Sequence, residues 1–332
     1  MEKTNTATVA VVESALVRGA EDYFRANDFV HVPSVPHIVS VTGACENIDT
    51  LFTLDYFGAQ GFLTQTGQLY LETLIKDLKN VCCVIHSFRA EPKVDGRHLT
   101  EFPLVEFEFS YDAEEENGLM NLLDHIEGTI CTMVKSALKN ALPQLKELGA
   151  DIQMLRSIER PFQRISYTQA IRELQQQCDI EWGADLTHEH EQFLVRLHGN
   201  KPLFITHYPE RIKFFNMRRN REHPEVVNSA DLILPSAGEA VGSAEREHNY
   251  DVLMKKLTNS SMYKRLLEKG GSLEDFKWYL DTIKENPVPH AGCGIGLSRV
   301  TQFVLGKADI REATPYPMNR ESLKALVVET IR

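Results

Sequence analysis

Three groups of residues, far apart in the chain, have types and spacings suited to handling a polyphosphate. The first is Phe88-Arg89-Ala90-Glu91, followed by Arg97-His98-Leu99-Thr100-Glu101-Phe102. A strand ending in arginine, a polar loop, then Arg-His and a returning strand present guanidinium groups that bind phosphate oxygens bidentately. Phe102, opening the return strand, offers a face for a base, a contact worth ~1–3 kcal/mol. Taken alone, the same pattern equally describes a salt-bridged surface hairpin. The second group is Asp231 with Gly238-Glu239 and Arg246. Two carboxylates at a strand end and the following turn suit Mg²⁺, which takes a few carboxylates plus phosphate oxygens. An isolated acidic pair is more often merely solvated. The third is Gly292-Cys293-Gly294-Ile295-Gly296-Leu297-Ser298-Arg299. Its G-x-G-x-G spacing, with no following strand and acidic residue, excludes a dinucleotide fingerprint. It reads as a tight turn that presents Arg299 from the first turn of a helix.

The elements that must position these groups are legible in part. Val12, Leu16, Ala20, Tyr23 and Phe24 recur at helical spacing, closed by Asn27-Asp28. Residues 29–41 are extended and interrupted by Pro33 and Pro36, as on a sheet edge. Strands are expected at 51–54, 61–64 and 81–88, with a helix over 68–78. Residues 104–111 give the clearest strand, with Leu104, Glu106, Glu108 and Ser110 on one face and Val105, Phe107, Phe109 and Tyr111 on the other. A long helix over 120–142 stops at Pro143, and a polar insertion of helix and loop spans about 146–200. Further strands fall at 202–207 and 230–234, and a charged helical region at 249–283. The expectation is α+β architecture in one domain, 1–332, with that insertion.

Composition narrows the class. The 332 residues are 42% hydrophobic and 25% charged, which is globular rather than disordered. No apolar run reaches the ~18–20 residues of a membrane helix, and the N-terminus has no signal-peptide core, so the chain reads as soluble and cytoplasmic. Its six cysteines form no C-x-x-C pair and read as free, buried thiols. Adjacent Cys82 and Cys83 are expected on opposite faces of a strand. A net charge of -11 gives no general attraction for nucleic acid. Arg218, Arg219 and Arg221 beside Glu222 read as a solvated charged loop.

Together the three groups resemble the catalytic domain of class II aminoacyl-tRNA synthetases, in the aspartyl, asparaginyl and lysyl subgroup. The resemblance runs from about Val12 to Pro317. Tyr56-Phe-Gly and Gln65-Thr-Gly-Gln-Leu-Tyr-Leu-Glu72 are closest to the asparaginyl branch. Arg97-His98 behind Asp95-Gly96, Asp231-Leu-Ile-Leu-Pro and Pro289-His-Ala-Gly are also similar to archaeal asparagine-synthetase relatives of that branch. The resemblance implies a six-stranded antiparallel sheet flanked by helices, a homodimer, and an AMP-forming ligase that uses ATP and Mg²⁺. It implies that Arg89 contacts the α-phosphate, and that Arg299 contacts the γ-phosphate and one face of the adenine, with Phe102 on the other. These two arginines would be the catalytic residues. Arg97 and His98 would lie near the outer phosphates, with Glu91 among the ATP-binding residues, and Asp231 and Glu239 would hold magnesium. For the amino acid, Gln68 and Glu106 would bind the α-ammonium, Arg246 and Glu72 would read the side chain, and Glu46 would come from a mobile loop.

Several positions depart from the family pattern. Glu46-Asn47-Ile48 stands for Glu-Gly-Gly, Ser298 for a glutamate and Met318 for an arginine, and an anticodon-binding barrel is not matched. Leu71 stands where the aspartyl branch has a lysine, which favours asparagine over aspartate as substrate. The expected activity is therefore formation of an asparaginyl-adenylate. The missing barrel and the negative charge point to a non-tRNA acceptor. The alternatives are a truncated asparaginyl-tRNA synthetase charging tRNA, an asparagine synthetase using aspartate and ammonia, and a non-catalytic paralogue.

Overall fold

The N-terminal periodicity forms helix α1 (Thr6–Ala26), which lays Val9, Val12, Leu16, Ala20 and Phe24 against the core. A computed structural model describes residues 6–41, 48–112 and 118–323; Cys45 and Glu46 lie outside them. After α1 come β1 (Val30–His31), β2 (Ile38–Val39), β3 (Thr53–Tyr56), β4 (Ala59–Leu63) and α2 (Gln68–Leu78), then β5 (Asn80–Phe88) and β6 (Glu101–Ser110). Helices α3 (Gly118–Asn140), α4 (Leu142–Glu147) and α5 (Ile152–Arg156) lead to β7 (Gln163–Ser166), α6 (Tyr167–Leu174), α7 (His188–Leu197) and β8 (Leu203–Thr206). The chain continues through β9 (Ser229–Leu234), β10 (Gly238–Glu245), α8 (Tyr250–Asn259), α9 (Ser261–Glu268) and α10 (Lys277–Glu285) to β11 (His290–Gly296) and α11 (Leu297–Leu305).

Eight strands form the main sheet in the order β1-β5-β6-β11-β10-β9-β8-β7. The six inner strands pair antiparallel throughout, while β1 and β7 join the two edges in parallel. A small second sheet has the order β2-β4-β3. The fold is thus mixed α+β, with a large, mostly antiparallel sheet flanked by helices. No helix among the described residues is long and apolar enough to cross a membrane.

The alternation read in β6 decides which face is which. Val105, Phe107 and Phe109 enter the largest apolar cluster, beneath α1, α3 and α11. Phe107 meets Phe24 and Phe29 edge-on, with ring centroids 5.7 and 5.4 Å away. Burying each such side chain contributes roughly 1.5–3 kcal/mol. Glu106 and Glu108 point to the opposite face, where the site lies. On β5 the same alternation sends Cys82 into that large cluster and Cys83 into a smaller one with Leu71, Ile75 and Ile85. Of the described cysteines all are free, and only Cys178 is exposed.

Four readings need correction. Gly292–Gly296 is not a turn but part of a central strand, β11, between β6 and β10. Its glycines clear space for neighbouring side chains: a Cβ on Gly292 would stand 2.2 Å from the Glu108 carboxyl carbon and 2.3 Å from the Phe107 carbonyl. Gly238-Glu239 likewise opens a full strand, β10, rather than only a turn. Pro143 does more than stop α3, because it sits in the first turn of α4, where its missing N–H is harmless. The 146–200 segment also extends the main sheet through β7 and packs α7 against β9 and β10.

Candidate active site

The polar face of the sheet carries a cleft of about 620 Å³, and the three sequence groups meet there. Arg89, Glu91, Arg97, His98 and Phe102 reach it from the β5–β6 connection and the start of β6. Asp231 and Glu239 come from β9 and β10, and Arg299 from the first turn of α11. Gln68, Glu106 and Arg246 line the other end. Glu72 lies behind that wall rather than in it, at 3% exposure. Glu46 falls outside the described residues.

The cationic end is built to receive something. Arg89 Nε, Arg97 Nε and Ser298 Oγ are buried yet have no hydrogen-bond partner, a condition that costs free energy until a ligand satisfies it. Arg89 lies over the Phe102 ring, its guanidinium carbon 5.4 Å from the centroid. Arg299 is held by the chain itself, donating from Nη2 to the Arg97 carbonyl at 2.9 Å and from Nη1 to the Ala237 carbonyl. Burial, and then the neighbouring Arg97, lower its pKa. His98 donates from Nδ1 to Asp95, 2.8 Å away, which fixes the ring in the loop.

At the other end the carboxylates are tightly held. Glu106 accepts from the Thr66 hydroxyl at 2.5 Å and from the Gly67 N–H at 2.7 Å. Burial still leaves its pKa raised. Glu72 accepts from Gln68 Nε2 (2.7 Å), Asn216 Nδ2 (2.9 Å), the Tyr279 hydroxyl (2.7 Å) and His290 Nε2 (3.1 Å). His290 has only acceptors at both ring nitrogens, Glu72 and the Val288 carbonyl, so both must carry protons and the ring is a cation. Burial opposes that charge, but Glu72 outweighs it and the pKa of His290 is raised. Arg246 donates from Nε and Nη2 to Glu108, the shorter bond being 2.7 Å, and lies 4.0 Å from Glu72. Burial pushes the Glu108 carboxyl up to about 7 against the pull of Arg246.

Two carboxylates face the middle of the cleft. Asp231 pairs in register with Gly242, and a Cβ on Gly242 would stand 3.2 Å from Glu239 Oε1, so Glu239 folds back toward Asp231. Burial first, and among the charges the proximity of Glu239, push the Asp231 carboxyl up to about 7; Lys213 pulls the other way. A like-charged pair of hard oxygen donors in the cleft that Arg89, Arg97 and Arg299 also line fits Mg²⁺. Among the described residues, the one His/Asp/Glu/Cys cluster of three or more with ligand atoms mutually within 4.8 Å is Glu72, Glu108 and His290. Arg246 and Tyr279 already occupy its oxygens, so it is an ion-pair network and not a metal centre.

The sequence did not single out Lys213, Thr66 or Glu191, all of which line the cleft. Lys213 comes from a loop without periodicity, and Glu191 from helix α7, where nothing in its spacing marks it as a cleft residue. Thr66 stands within the quoted Gln65-Thr-Gly-Gln run and could have been found as a partner for a buried carboxylate. Two of the loop arginines are paired rather than simply solvated: Arg218 with the Tyr111 hydroxyl and Arg219 with Glu210.

Comparison with known proteins gives concordant matches. The family model described as tRNA synthetases class II (D, K and N) matches residues 1–320. A Herpetosiphon aurantiacus protein named asparagine–tRNA ligase is 34% identical over 322 residues, covering 92% of this chain and 68% of its own length. One of the same name from Thermococcus gammatolerans is 35% identical, with 96% of this chain and 70% of its own covered. The crystal structure of Pyrococcus horikoshii asparaginyl-tRNA synthetase complexed with asparaginyl-adenylate superposes with a TM-score of 0.84 at 33% identity, over 95% of this chain and 69% of that one.

Proposed function

The chain belongs to the class II tRNA synthetases of the D, K and N group, and from that premise we propose that it activates asparagine with ATP. It carries the catalytic domain of an aminoacyl-tRNA synthetase, a ligase that forms an aminoacyl-adenylate. The observation that supports activation by this chain is the convergence of Arg89, Arg97, Phe102 and Arg299 on the same cleft as Gln68, Glu106 and Arg246.

In this reading a carboxylate oxygen of the amino acid attacks the α-phosphorus of ATP, a P–O bond to the β-phosphate breaks, and pyrophosphate leaves. Arg89 lies where negative charge grows on the α-phosphate, and its unpartnered Nε finds an acceptor there. Arg299, fixed by two backbone carbonyls, presents a guanidinium that needs no reorganisation, with Phe102 across the cleft as the base platform. Arg97 and His98 attend the outer phosphates, and Glu91 closes that end. Asp231 and Glu239 would hold a magnesium ion, which supplies charge neutralisation on the phosphates. Positioning and charge neutralisation carry most of such a reaction.

The side-chain pocket supports asparagine over aspartate. The two cations, Arg246 and His290, are already paired with Glu108 and Glu72, so neither is free for a substrate carboxylate. Leu71 is fully buried and offers none. A neutral carboxamide suits Arg246, with Glu72 immediately behind and Gln68 left to the α-ammonium; a carboxylate would leave polar groups mismatched, a discrimination of up to ~10⁴-fold. Mass spectrometry of enzyme-bound product after incubation with ATP and both amino acids tests this. Asparaginyl-adenylate is expected, and aspartyl-adenylate alone would refute it.

The relatives' names support tRNA as the acceptor; the net charge of -11 supports a non-tRNA acceptor. Charging of bulk tRNA with radiolabelled asparagine separates the two. A homodimer accords with the exposed valines Val30 and Val84 beside β1, and light scattering would measure it.

A further inference from the structure

Lys213 stands at the boundary between the cleft and a second cavity of about 660 Å³, and it lines both. Its ammonium lies 2.6 Å from Asp231 Oδ2 and 4.0 Å from the Tyr208 ring centroid. The two charged side chains are only 15% and 5% exposed, so water screens the pair weakly. Glu239 folds back over Gly242 toward the same carboxylate. Two carboxylates brought together on adjacent strands need a cation, and this chain supplies its own.

We propose that Lys213 is a resident cation that holds the metal position at Asp231 until nucleotide arrives, and that a divalent ion entering with ATP displaces its ammonium. The inference rests on the reading of Asp231 and Glu239 as the magnesium ligands. An ammonium and a divalent ion on one carboxylate repel each other, so a metal without nucleotide must break a shielded ion pair to bind. ATP tips that exchange by adding phosphate oxygens as ligands. The displaced ammonium has somewhere to go, because its flexible four-carbon stem borders the second cavity, which also holds Glu210. Removing Lys213 takes away the competing ammonium, so a divalent ion at Asp231 displaces at most a proton and breaks no ion pair.

The test titrates Mn²⁺ into the 332-residue chain without nucleotide and follows free Mn²⁺ by electron paramagnetic resonance. Lys213→Met is expected to bind one Mn²⁺ at least tenfold more tightly than the unaltered protein. Lys213→Arg should stay as weak as the unaltered protein, and adding Asp231→Asn to Lys213→Met should erase the gain. Circular dichroism checks folding; should Lys213→Met lose its spectrum, Lys213→Gln takes its place with the same expectation. Equal Mn²⁺ affinity with and without Lys213, while the unaltered protein takes up Mn²⁺ with ATP in a manner that needs Asp231, would overturn the displacement alone. If Asp231→Asn and the unaltered protein take up Mn²⁺ with ATP alike, the magnesium reading itself fails and the displacement falls with it.

Discussion

Arg89 and Arg299 differ in how the chain holds them, and the difference sets what their removal should do. Arg89 has a buried nitrogen without a partner, whereas Arg299 is anchored on the carbonyls of Arg97 and Ala237. Arg89→Ala should leave stability almost unchanged and lower the rate of adenylate formation by roughly ten- to a hundredfold or more, since a charge-assisted contact in a dry site is worth ~1.5–3 kcal/mol or more. Arg299→Ala should lose as much activity and also some stability, because it strands two carbonyls. Stopped-flow adenylate formation and urea unfolding measure the two effects; near-normal rates in either variant would mean the phosphate assignments are wrong. The residues that touch the cleft were mostly legible, because arginine, histidine and aromatic types recur at fixed offsets around strands. Lys213 was not, since this loop residue's role depends on Asp231, 18 positions away on β9. Glu72 was expected to read the substrate side chain but stands behind the cleft wall, and no pattern reveals that four donors already saturate its oxygens.

At the scale of elements, glycine misled the reading of β11 and β10. Glycine is depleted in strands, so Gly-Cys-Gly-Ile-Gly suggests a turn. Only the register explains it: Gly292 faces Glu108 and Gly294 faces Glu106, and the missing side chains leave room for carboxylates that β6 projects toward the cleft. Gly292→Ala should therefore cost several kcal/mol and fold poorly, its Cβ meeting backbone as well as side chain. Gly294→Ala should fold, because its Cβ would be 3.3 Å from Glu106 Oε1 and little else, but raise KM for the amino acid severalfold by displacing that carboxylate. Thermal melts and steady-state kinetics distinguish the pair. The amphipathic elements α1, α2 and β6 were legible because one face alone is apolar. Helix α1 also carries a liability: burial pushes the Glu13 carboxyl up to about 7. The folded state then keeps a proton that the unfolded chain releases above about 4.5, so stability falls as pH rises from 4.5 to 7 and stays low beyond. Glu13→Gln should add roughly 1–3 kcal/mol at pH 8 and almost nothing at pH 4.5, as read by urea unfolding at both.

For the molecule as a whole, the fold gathers residues from positions 65 to 310 around one polar cleft, with a guanidinium-rich end and a far end whose cations are already paired. The main antiparallel sheet was foreseeable from family resemblance, while the parallel edge strands β1 and β7 were not: each is too short to show a pattern of its own. The central claim is that this face joins ATP to asparagine reversibly. ATP–pyrophosphate exchange with purified protein, run separately with each amino acid, tests it without needing the acceptor. Exchange dependent on asparagine, absent with aspartate and lost in Arg89→Ala, is the predicted result; no exchange with any amino acid, or exchange with aspartate alone, would contradict it.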